Sequence, residues 1–467
     1  MSIFVGRDSE IGVAKGQLKQ SASRIIVING RRRIGKSTLA EKIAEGYRFF
    51  NFSGLSPSNT ANDSKNQMDH FLRQLSKQTG NTYESGSDWY DVLCVFAKEI
   101  PSQEKIVILF DEISWLASGD PHFVGKLKTW WDQEISHGKN VLLIFCGSVS
   151  TWIEKNIINS TAFYGRISAV INLQPLSITD SVKLLKYKNF QGSPFEFYKI
   201  LAVMGGIPWY LEQIDESQTA DKNIENLCFK RNGLLHSEFE YIFNDVFSKY
   251  GNIYHQMLSV LSEGMKNLAE IRKAVNYAES GQLSNLMNNL IVSGFVTKHE
   301  QWNFKTCSLK KQSLYRLSDP YTRFYLKYIK PAGNLEKLPT GFESIIGIQM
   351  ENLLIQNRKL IMNELNIDNV LRDSPYLQKA SSSRRGCQID YLIQTETNNL
   401  FLCEFKFRKR YLGNEIIDEV KEKMDRLVIP RGMAVVPVLF HIGEVSHTVY
   451  ESRFFYKTID LENFLVE

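Results

Sequence analysis

The sequence predicts an α/β multidomain protein whose first part is built on a mostly parallel sheet. Its 467 residues exceed what one hydrophobic core usually supports, so two to four domains are expected. Over the first 180 residues, short apolar runs alternate with amphipathic segments, a pattern typical of βαβ units around a buried sheet. The middle of the chain is predicted to be mainly helical, and the last part returns to alternating helices and strands.

The composition is that of an ordinary soluble protein, with 43% hydrophobic and 23% charged residues. The net charge of +5 is mild for this length, so a nucleic-acid partner would have to be recognised by local clusters of charge. The first ten residues lack the apolar core of a signal peptide, and no stretch approaches about 18 uninterrupted apolar residues. We therefore expect a cytoplasmic protein without a membrane partner.

The cysteines predict reduced thiols, because no two of them form a CxxC pair. Three lie in apolar runs typical of strands, DVLCVF, LLIFCGS and LFLCEF, which favours buried thiols over a zinc site or a disulfide framework. The six positions are Cys94, Cys146, Cys228, Cys307, Cys387 and Cys403.

In the first part of the chain, each apolar run is long enough for one strand and each amphipathic segment for one helix. The predicted strands are RIIVING, YRFFNFSG, KIVILFDEI, NVLLIFCGS and SAVINLQPLS. The predicted helices include KSTLAEKIAEG, SKNQMDHFLRQLSKQTG and FVGKLKTWWDQEISHG.

The stretch INGRRRIGKS, residues 28–37, matches the phosphate-binding pattern GxxxxGK[ST], between a predicted strand and a predicted helix. Its glycines let backbone N–H groups turn inward onto phosphates at the positive end of the helix. Lys36 would reach the terminal phosphates, and the Ser37 hydroxyl would ligate Mg²⁺. Whether an arginine touches a phosphate stays open, because a solvated basic loop tip explains the arginines equally well. The predicted nucleotide-binding residues are Gly30, Arg31, Arg32, Arg33, Ile34, Gly35, Lys36, Ser37 and Thr38.

A second motif complements this loop about 75 residues further along the chain. The apolar run IVILFDEIS ends in Asp111, which would hold Mg²⁺, and Glu112, which would orient or deprotonate the attacking water. The alternative is a basic turn followed by an unrelated acidic strand end. Because both motifs occur in order and in context, we expect ATP and Mg²⁺ as cofactors.

Six segments in one order extend this pattern into a family resemblance over roughly residues 2–330. They are FVGRDSEI, GRRRIGKS, FDEISWL, FCGSVSTWIE, FYGRISAVINLQPLS and GGIPWYL. The chain resembles prokaryotic AAA-type, STAND-like ATPases, a group known as archaeal ATPases. The resemblance implies a helical lid after the ATPase core and a winged helix after the lid.

The resemblance also implies roles for individual residues. It makes Ser148 the polar sensor after the acidic strand, and Arg166 an arginine that reaches a phosphate in cis or from a neighbouring subunit. Gly206 and Pro208 correspond to the element that packs on the adenine, while Gly6 with Arg7 matches the N-terminal motif on the nucleotide side. Two alternatives stay open: Arg166 as a salt-bridged surface arginine, and Gly206 with Pro208 as simple helix breakers.

Residues 250–318 are predicted to form three short helices and a hairpin, the outline of a winged helix-turn-helix. The third helix would bury its leucines and present a polar, uncharged face that lacks the Arg and Lys needed for phosphate contacts. A packing or protein-docking role is therefore an alternative to DNA binding. The outer-face residues are Gln282, Ser284, Asn285, Asn288 and Asn289.

A second constellation follows the predicted linker IKPAGNLEKLPTG. One predicted strand carries Asp390, and the next carries Glu404 and Lys406 on one face. Two carboxylates and a lysine suit metal-dependent phosphodiester hydrolysis, since the acids hold a metal and the lysine orients or deprotonates water.

This constellation resembles the PD-(D/E)xK nuclease superfamily, and the preceding helix FESIIGIQMENLLIQNRKLIM offers the matching Glu351. Gln388 is a departure, because related domains often carry an acidic residue there. The metal ligands implied are Glu351, Asp390 and Glu404. A basic cluster nearby would suit a DNA or RNA backbone, although a solvated charged loop explains it as well. The cluster comprises Arg384, Arg385, Arg408, Lys409 and Arg410.

The resulting fold prediction is a P-loop NTPase parallel sheet with a helical lid, a winged helix-turn-helix and a C-terminal restriction-endonuclease-like α/β domain. The predicted domains are 1–180 (ATPase core), 181–247 (lid), 248–330 (winged helix), 331–341 (linker) and 342–467 (nuclease-like domain).

The function predicted is an ATPase coupled to a nuclease-like domain that acts on nucleic acid with Mg²⁺. The alternative is a nucleotide-dependent switch or scaffold whose C-terminal domain docks a partner protein without cleaving nucleic acid. A DNA-binding regulator gated by ATP and a small-molecule kinase are disfavoured by the polar third helix and by the sensor and lid, respectively. A homo-oligomer is left open, because Arg166 can act between subunits.

Overall fold

The structure is a computed structural model that describes residues 3–56, 63–148, 151–247, 251–277, 280–333, 336–339, 343–382, 385–408 and 411–465. The chain divides into two compact units. The N-terminal unit comprises Gly6–Pro175 with Val292–Gly294, and the C-terminal unit comprises Leu176–Ile291 and Phe295–Glu467 with the segment Met1–Val5. The five-part division made from the sequence stays a prediction.

A five-stranded sheet forms the centre of the N-terminal unit, in the order β2-β3-β4-β1-β5. All neighbouring strands are parallel, which confirms the predicted parallel sheet. The apolar runs of β1, β3 and β4 are buried on both faces, as expected for parallel strands covered by helices. The strands are β1 (Arg24–Gly30), β2 (Arg48–Ser53), β3 (Lys105–Asp111), β4 (Asn140–Ser148) and β5 (Ile167–Leu173).

The helices of this unit cover the sheet and bury an aromatic core, in which Phe52 stacks on Phe71 at 4.0 Å between ring centroids. The interpretation of DVLCVF as a strand is wrong. Apolar residues recur there with helical spacing, so Cys94 lies in a helix. The helices are Asp8–Leu18, Lys36–Ala44, Asp63–Thr79, Trp89–Lys98, Ile113–Leu116, Phe123–Trp130 with the π-helix Trp131–Ile135, and Thr151–Ile153 with the π-helix Glu154–Ile158.

The C-terminal unit begins with a helical segment that contains the predicted lid. Ser177 caps its first helix by accepting a hydrogen bond from the Asp180 amide at 3.0 Å. The helices are Ile178–Tyr187, Pro194–Met204, Pro208–Glu212, Ala220–Ile224 with the π-helix Glu225–Phe229, and Glu238–Phe247.

Three helices and a small antiparallel sheet follow, in the order predicted from the sequence. A capping box starts the second helix, since Asn267 and Glu270 each accept the other's backbone N–H. In the third helix, the leucines are buried and Ser284, Asn285 and Asn288 are exposed. The winged-helix interpretation itself stays a prediction. The elements are Gly251–Ser262, Leu268–Ala274, Ser280–Val292, β6 (Lys266–Asn267), β7 (Val296–His299) and β8 (Leu314–Leu317), with the sheet order β6-β8-β7.

The loop between β7 and β8 inserts two buried aromatic side chains, Trp302 and Phe304, into the core of the last sheet. Trp302 donates its indole N–H to Gln394 Oε1 at 2.6 Å, and its ring centroid lies 5.7 Å from that of Tyr376. Phe304 lies 4.9 Å from the same tyrosine ring. The two aromatic residues therefore anchor this loop in the C-terminal core, while most of the remaining loop residues are exposed.

Replacing Trp302 with alanine is expected to destabilise the C-terminal unit by about 3–5 kcal/mol, since the indole is fully buried and its removal leaves a cavity. Urea unfolding followed by circular dichroism measures the loss. Leu309→Ala is the matched control, because Leu309 pairs with Trp302 across the hairpin but is 47% exposed. Equal stability of the two variants would contradict the anchoring of the hairpin loop through the buried Trp302.

The last sheet has five strands in the order β13-β12-β11-β10-β9. Strand β10 is antiparallel to both β9 and β11, while β11, β12 and β13 run parallel to one another. Strands β9 and β13 were not anticipated from the sequence, which predicts β12 as the last strand. The strands are β9 (Val370–Gln378), β10 (Cys387–Thr395), β11 (Asn399–Phe407), β12 (Ala434–Ile442) and β13 (Lys457–Asp460).

Helices surround this sheet, and the single helix predicted around Glu351 is in fact two helices separated at Asn357. The helices are Pro320–Phe324 with the π-helix Tyr325–Ile329, Lys330–Ala332, Glu343–Gln356, Arg358–Leu365, Glu415–Arg426, His447–Glu451 and the 3₁₀ helix Leu461–Leu465. All six cysteines are free thiols, of which Cys94 and Cys307 are partly exposed. Among the described helices, none is both long and apolar enough to cross a bilayer.

Candidate functional site

The predicted phosphate loop connects the end of β1 to the helix Lys36–Ala44. A side chain at Gly30 would place its Cβ 2.9 Å from the Leu173 carbonyl oxygen, so only glycine fits there. Gly35 has φ 90° and Arg33 has φ 68°, both in the left-handed region. These two positive φ values let the backbone turn sharply from the loop into the helix that begins at Lys36.

Lys36 is folded back over this loop and is only 7% exposed. Its Nζ donates to the carbonyl oxygens of Gly30 at 3.1 Å and Arg31 at 3.2 Å. Because these acceptors are neutral, a phosphate oxygen would be a stronger partner for the ammonium group. The position therefore fits a lysine that exchanges loop carbonyls for a nucleotide phosphate.

Ser37 and Asp111 meet beside the loop, where the Ser37 hydroxyl donates to Asp111 Oδ2 at 2.6 Å. The other carboxylate oxygen of Asp111 accepts the Glu112 amide at 3.0 Å. A hydroxyl and a carboxylate are the oxygen ligands that Mg²⁺ uses together with nucleotide phosphates and water. The two side chains therefore fit the predicted magnesium ligands.

Glu112 and Ser148 form a second contact at the same C-terminal end of the parallel strands. Strand β4 lies between β1 and β3, so Ser148 stands level with Gly30. The Ser148 amide and hydroxyl donate to the two carboxylate oxygens of Glu112 at 3.3 and 3.2 Å. Burial raises the pKa of Glu112, against the opposing effect of the nearby Lys36 ammonium. This carboxylate is held by a polar strand end and is available to orient a water.

Arg7 links the N-terminal segment to the phosphate loop. Its guanidinium donates to the Gln174 carbonyl oxygen at 2.7 Å and to the Ile34 carbonyl oxygen at 3.3 Å. Both Gly6 and Arg7 have positive φ, 64° and 70°. The contact with Ile34 is consistent with the predicted position of this motif, while its role toward the nucleotide stays a prediction.

Arg166 lies at the end of the strands opposite to the phosphate loop. It precedes β5, whose first residue pairs with Ile25, whereas the phosphate loop follows Gly30 at the other end of β1. About six residues of strand separate the two levels, which is roughly 20 Å. Its guanidinium instead makes two hydrogen bonds to Asp132, Nε to Oδ1 at 2.7 Å and Nη2 to Oδ2 at 2.8 Å. Within one chain, Arg166 therefore forms a salt bridge with Asp132, as the alternative from the sequence had it. A role toward the nucleotide of a neighbouring subunit remains a proposal.

Arg166→Ala is expected to leave the affinity of the protein for ATP unchanged, because the guanidinium is too distant to touch a nucleotide in its own subunit. Titration with a fluorescent ATP analogue measures the dissociation constant, with Lys36→Ala as the variant that weakens it. A large loss of ATP affinity in Arg166→Ala would contradict the placement of Arg166. Recovery of hydrolysis when the two variants are mixed would reveal a role between subunits.

Gly206 and Pro208 lie in the C-terminal unit, where both have structural explanations. A Cβ at Gly206 would lie 2.2 Å from the Leu176 carbonyl oxygen, and the Gly206 carbonyl accepts the Leu176 amide at 2.7 Å. Pro208 occupies the first turn of the helix Pro208–Glu212, where its missing N–H costs nothing. Their predicted contact with adenine remains a prediction.

The second constellation gathers in the C-terminal sheet as expected from strand alternation. Asp390 on β10 accepts the Phe405 amide of β11 at 3.0 Å. On β11, Lys406 Nζ lies 3.0 Å from Glu404 Oε1. The Lys406 ammonium also donates to Glu419 Oε2 at 2.7 Å. The two strands and one helix thus bring the predicted Asp, Glu and Lys together.

Sequence reasoning missed Lys423, which stands between the two carboxylates. Its Nζ lies 2.5 Å from Glu404 Oε2 and 3.8 Å from Asp390 Oδ1. Lys423 and Glu419 are four residues apart on the helix Glu415–Arg426, so they share one face toward the site. The spacing is visible in the sequence and predicts that Glu419 and Lys423 lie on the same helix face. It does not indicate that this face packs against Asp390 and Glu404.

The two carboxylates differ in how they are held. Burial raises the pKa of Asp390 to about 7, and the nearby charges of Glu404 and Glu351 act in the same direction. The Lys423 ammonium opposes this shift in pKa. Glu404 is only 1% exposed and lies between two ammonium groups. A divalent cation would compete with Lys423 for these oxygens.

Glu351 is not grouped with the other carboxylates. Its Oε2 lies 3.3 Å from Arg316 Nη2, and the Arg316 Nη1 donates to Asn352 Oδ1 at 2.9 Å. Within the described part of the chain, no three Asp, Glu, His or Cys side chains form a group that could hold a metal ion. The three-carboxylate set expected from the resemblance is therefore not assembled, and Asp390 with Glu404 is the pair that remains for a metal.

The carboxylates open onto a cavity of about 720 Å³, which we call the acidic cavity. Gln388 lines it and is exposed, so the departure from the expected acidic residue is a polar side chain at the rim. Arg385 and Arg408 of the predicted basic cluster are exposed. Its other three members, Arg384, Lys409 and Arg410, lie outside the described residues.

Comparisons with known proteins agree with the N-terminal site. The family described as an ATPase domain predominantly from Archaea matches residues 4–214. The uncharacterized protein MJECL04 of Methanocaldococcus jannaschii is 26% identical over 352 residues, 75% of this chain and 73% of the relative.

Solved structures are similar at lower identity. The Walker-type ATPase PABY2304 of Pyrococcus abyssi has a TM-score of 0.50 at 17% identity, covering 69% of this chain and 96% of that one. The ORC2 protein of Aeropyrum pernix, solved as ADPNP–ADP complexes, has a TM-score of 0.42 at 15% identity, covering 76% and 96%. The Pyrococcus structure shows a shared fold alone.

The family match and the loop geometry agree on the same segment. The glycine loop, Lys36, the Ser37–Asp111 pair and the parallel sheet all lie within the matched residues. The described site thus lies within the stretch that matches the archaeal ATPase domain, and its residues fit ATP and Mg²⁺ as cofactors.

Proposed function

We propose that the protein is an ATPase coupled to a metal-dependent nuclease-like domain that acts on nucleic acid. The observation that carries the nuclease proposal is the meeting of Asp390, Glu404, Lys406 and Lys423 at one cavity. Two buried carboxylates beside two ammonium groups suit phosphodiester chemistry better than they suit a folding role. Placing such charges in a core without a function is costly.

At the nucleotide site, we assign a separate role to each of the residues described above. Lys36 would hold the terminal phosphates, Ser37 and Asp111 would hold Mg²⁺, and Glu112 would orient the attacking water with the support of Ser148. The cation supplies charge neutralisation on the phosphates when it is bound.

At the C-terminal site, Asp390 and Glu404 would bind a divalent cation, whose chemistry is to lower the pKa of a water and to stabilise charge on phosphate. Lys406 would orient or deprotonate the attacking water, while its contact with Glu419 fixes the direction of its side chain. Lys423 would pass from the carboxylates to a phosphate oxygen of the substrate.

A packed path supports coupling between the predicted lid and this site. Phe195 stacks on Phe407 with 5.2 Å between ring centroids, and Tyr198 lies edge-on to the same ring at 5.7 Å. Phe407 follows Lys406 directly on β11. A movement of the helix Pro194–Met204 would therefore press on the strand that carries Glu404 and Lys406.

The segment of three helices and a hairpin would serve mainly as a connecting module in this proposal. Trp302 and Phe304 anchor its hairpin loop in the C-terminal core, and the exposed face of its third helix lacks charge. We retain the winged-helix assignment as part of the proposal, with packing as its principal role.

A second candidate function is the nucleotide-dependent switch or scaffold. It is favoured by the pairing of Glu351 with Arg316 and by the position of Lys423 between the carboxylates, since both contacts occupy oxygens that a metal would need. In this alternative, the C-terminal domain docks a partner protein, and the charge network is structural.

A nuclease assay distinguishes the two functions. Purified protein is incubated with linear and circular DNA and with RNA, in Mg²⁺ or Mn²⁺, with and without ATP, beside Lys406→Ala. The proposal predicts cleavage that is lost in the variant. Absence of cleavage with either metal, alongside ATP hydrolysis that requires Lys36, would favour the switch or scaffold.

A further inference from the structure

We propose that a lysine-lined groove beside the acidic cavity binds the sugar–phosphate backbone of a polynucleotide strand and leads it to Asp390 and Glu404. The inference rests on the proposed nuclease function and adds to it the surface that receives the substrate. It also adds the manner of recognition, which is binding of the backbone without reading of the bases.

The groove has a volume of about 700 Å³ and is walled by three segments of the C-terminal unit. They are the loop between β7 and β8, the end of β9 and the turn at residues 428–430. We call this cavity the lysine groove. Three exposed lysines line it, Lys305, Lys310 and Lys379. Among the described residues that line it, none is an aspartate or a glutamate, so the groove carries net positive charge.

The lysine groove and the acidic cavity are contiguous. Residues 377–380 line both, which makes the end of β9 the common wall. Lys379 stands at this junction, with its Nζ 3.5 Å from Glu270 Oε1 on the side of the acidic cavity. The charged residues that line the two contiguous cavities therefore change from lysines alone in the lysine groove to lysines interleaved with carboxylates in the acidic cavity.

This change of charge matches what a nuclease substrate requires. A phosphate backbone is attracted by the lysines through long-range electrostatics, and it would meet carboxylates only where a divalent cation offsets their charge. A groove with carboxylates along its whole length would repel the same strand. In this arrangement, the lysine groove binds the phosphate backbone, and the acidic cavity carries out the cleavage.

The aromatic side chains of the groove are buried and leave no face for base stacking. Trp302, Phe304 and Tyr376 are 1%, 6% and 4% exposed. Tyr376 instead supports a lysine, since Lys310 Nζ lies 3.1 Å from its hydroxyl and 5.0 Å from its ring centroid. Binding that depends on lysines without open aromatic faces is expected to be strongly salt-dependent and insensitive to sequence.

The test is equilibrium binding without cleavage. Fluorescence anisotropy in EDTA follows the full-length protein on labelled single-stranded DNA, duplex DNA and RNA, each in two unrelated sequences. The groove variant carries Lys305→Gln, Lys310→Gln and Lys379→Gln. The matched control carries Lys15→Gln, Lys77→Gln and Lys359→Gln, three exposed lysines outside the lining of both cavities.

We expect the groove variant to bind at least roughly tenfold more weakly, and the slope of log affinity against log salt to fall by about 2. The control should keep the wild-type slope, and the two sequences should bind alike. Lys305→Gln alone, at an exposed position, should lower the slope by about 0.7–0.9, which guards against misfolding of the triple variant.

Two other results would overturn the inference in distinguishable ways. Wild-type binding that the groove variant retains with an unchanged slope would place the nucleic-acid surface elsewhere, while the proposed function stands. Absence of wild-type binding to all three nucleic acids would remove the groove and the proposed nuclease function together.

Discussion

Lys36→Ala is expected to reduce ATP hydrolysis by about 10²–10³-fold, because it removes a buried cation aimed at developing phosphate charge. Among the described residues, the Lys36 ammonium donates its hydrogen bonds to the neutral loop carbonyls, so the substitution breaks no direct ion pair there. Folding should therefore survive the change. Phosphate release at saturating ATP and Mg²⁺ measures the effect.

Lys42→Ala is the matched control, since Lys42 lies on the same helix, pairs with Glu45 at 2.8 Å and is 38% exposed at its side chain. It should hydrolyse ATP at the wild-type rate. If Lys36→Ala retained that rate as well, the loop would not be the site of hydrolysis.

Glu404→Gln is expected to lower metal-dependent cleavage of nucleic acid by about 10²–10³-fold, because it neutralises the carboxylate that both site lysines contact. Glutamine keeps the volume of the buried side chain. Initial cleavage rates in Mg²⁺ and Mn²⁺ measure the loss, and calorimetric titration with Mn²⁺ reports whether the metal itself still binds. ATP hydrolysis should not change.

Glu422→Gln controls for a general change of charge, since Glu422 lines the same cavity but is exposed and pairs with Arg426. Cleavage that survives Glu404→Gln while Mn²⁺ binding is lost would separate the metal site from the reaction and refute the proposed roles.

The nucleotide site could be predicted almost entirely from the sequence, because its parts are local. The spacing of Gly30, Gly35 and Lys36 determines the loop, and Asp111 ends a strand that must be buried. The position of Arg166 could not be predicted, since it depends on which end of β5 faces the phosphate loop. Sheet topology alone decides that, and it places this arginine on Asp132.

The C-terminal site was predicted less completely, because its partners come from distant parts of the chain. Alternation along β11 correctly grouped Glu404 with Lys406. Lys423 reaches the site only through the packing of a helix on the sheet, and Arg316 takes Glu351 through the packing of the hairpin. The spacing of Glu419 and Lys423 places both residues on one helix face without showing what that face meets, and the contact of Arg316 with Glu351 leaves no pattern in the sequence.

Strand β9 and the helix around Cys94 show how local patterns mislead. The β9 segment VLRDSPYLQ contains a proline and two adjacent charges, so it lacks the alternation of a half-buried strand. Conversely, WYDVLCVFAK is apolar enough for a strand, but its buried positions repeat with helical spacing. Tertiary packing decides both cases.

We propose that ATP use at the N-terminal site controls chemistry at the C-terminal site. The most direct measurement is the rate of nucleic-acid cleavage with and without ATP, in the wild-type protein and in Lys36→Ala. We expect that ATP changes the wild-type rate, that it has no effect on Lys36→Ala, and that Glu404→Gln abolishes cleavage in both conditions. A wild-type cleavage rate that is the same with and without ATP would contradict this proposal.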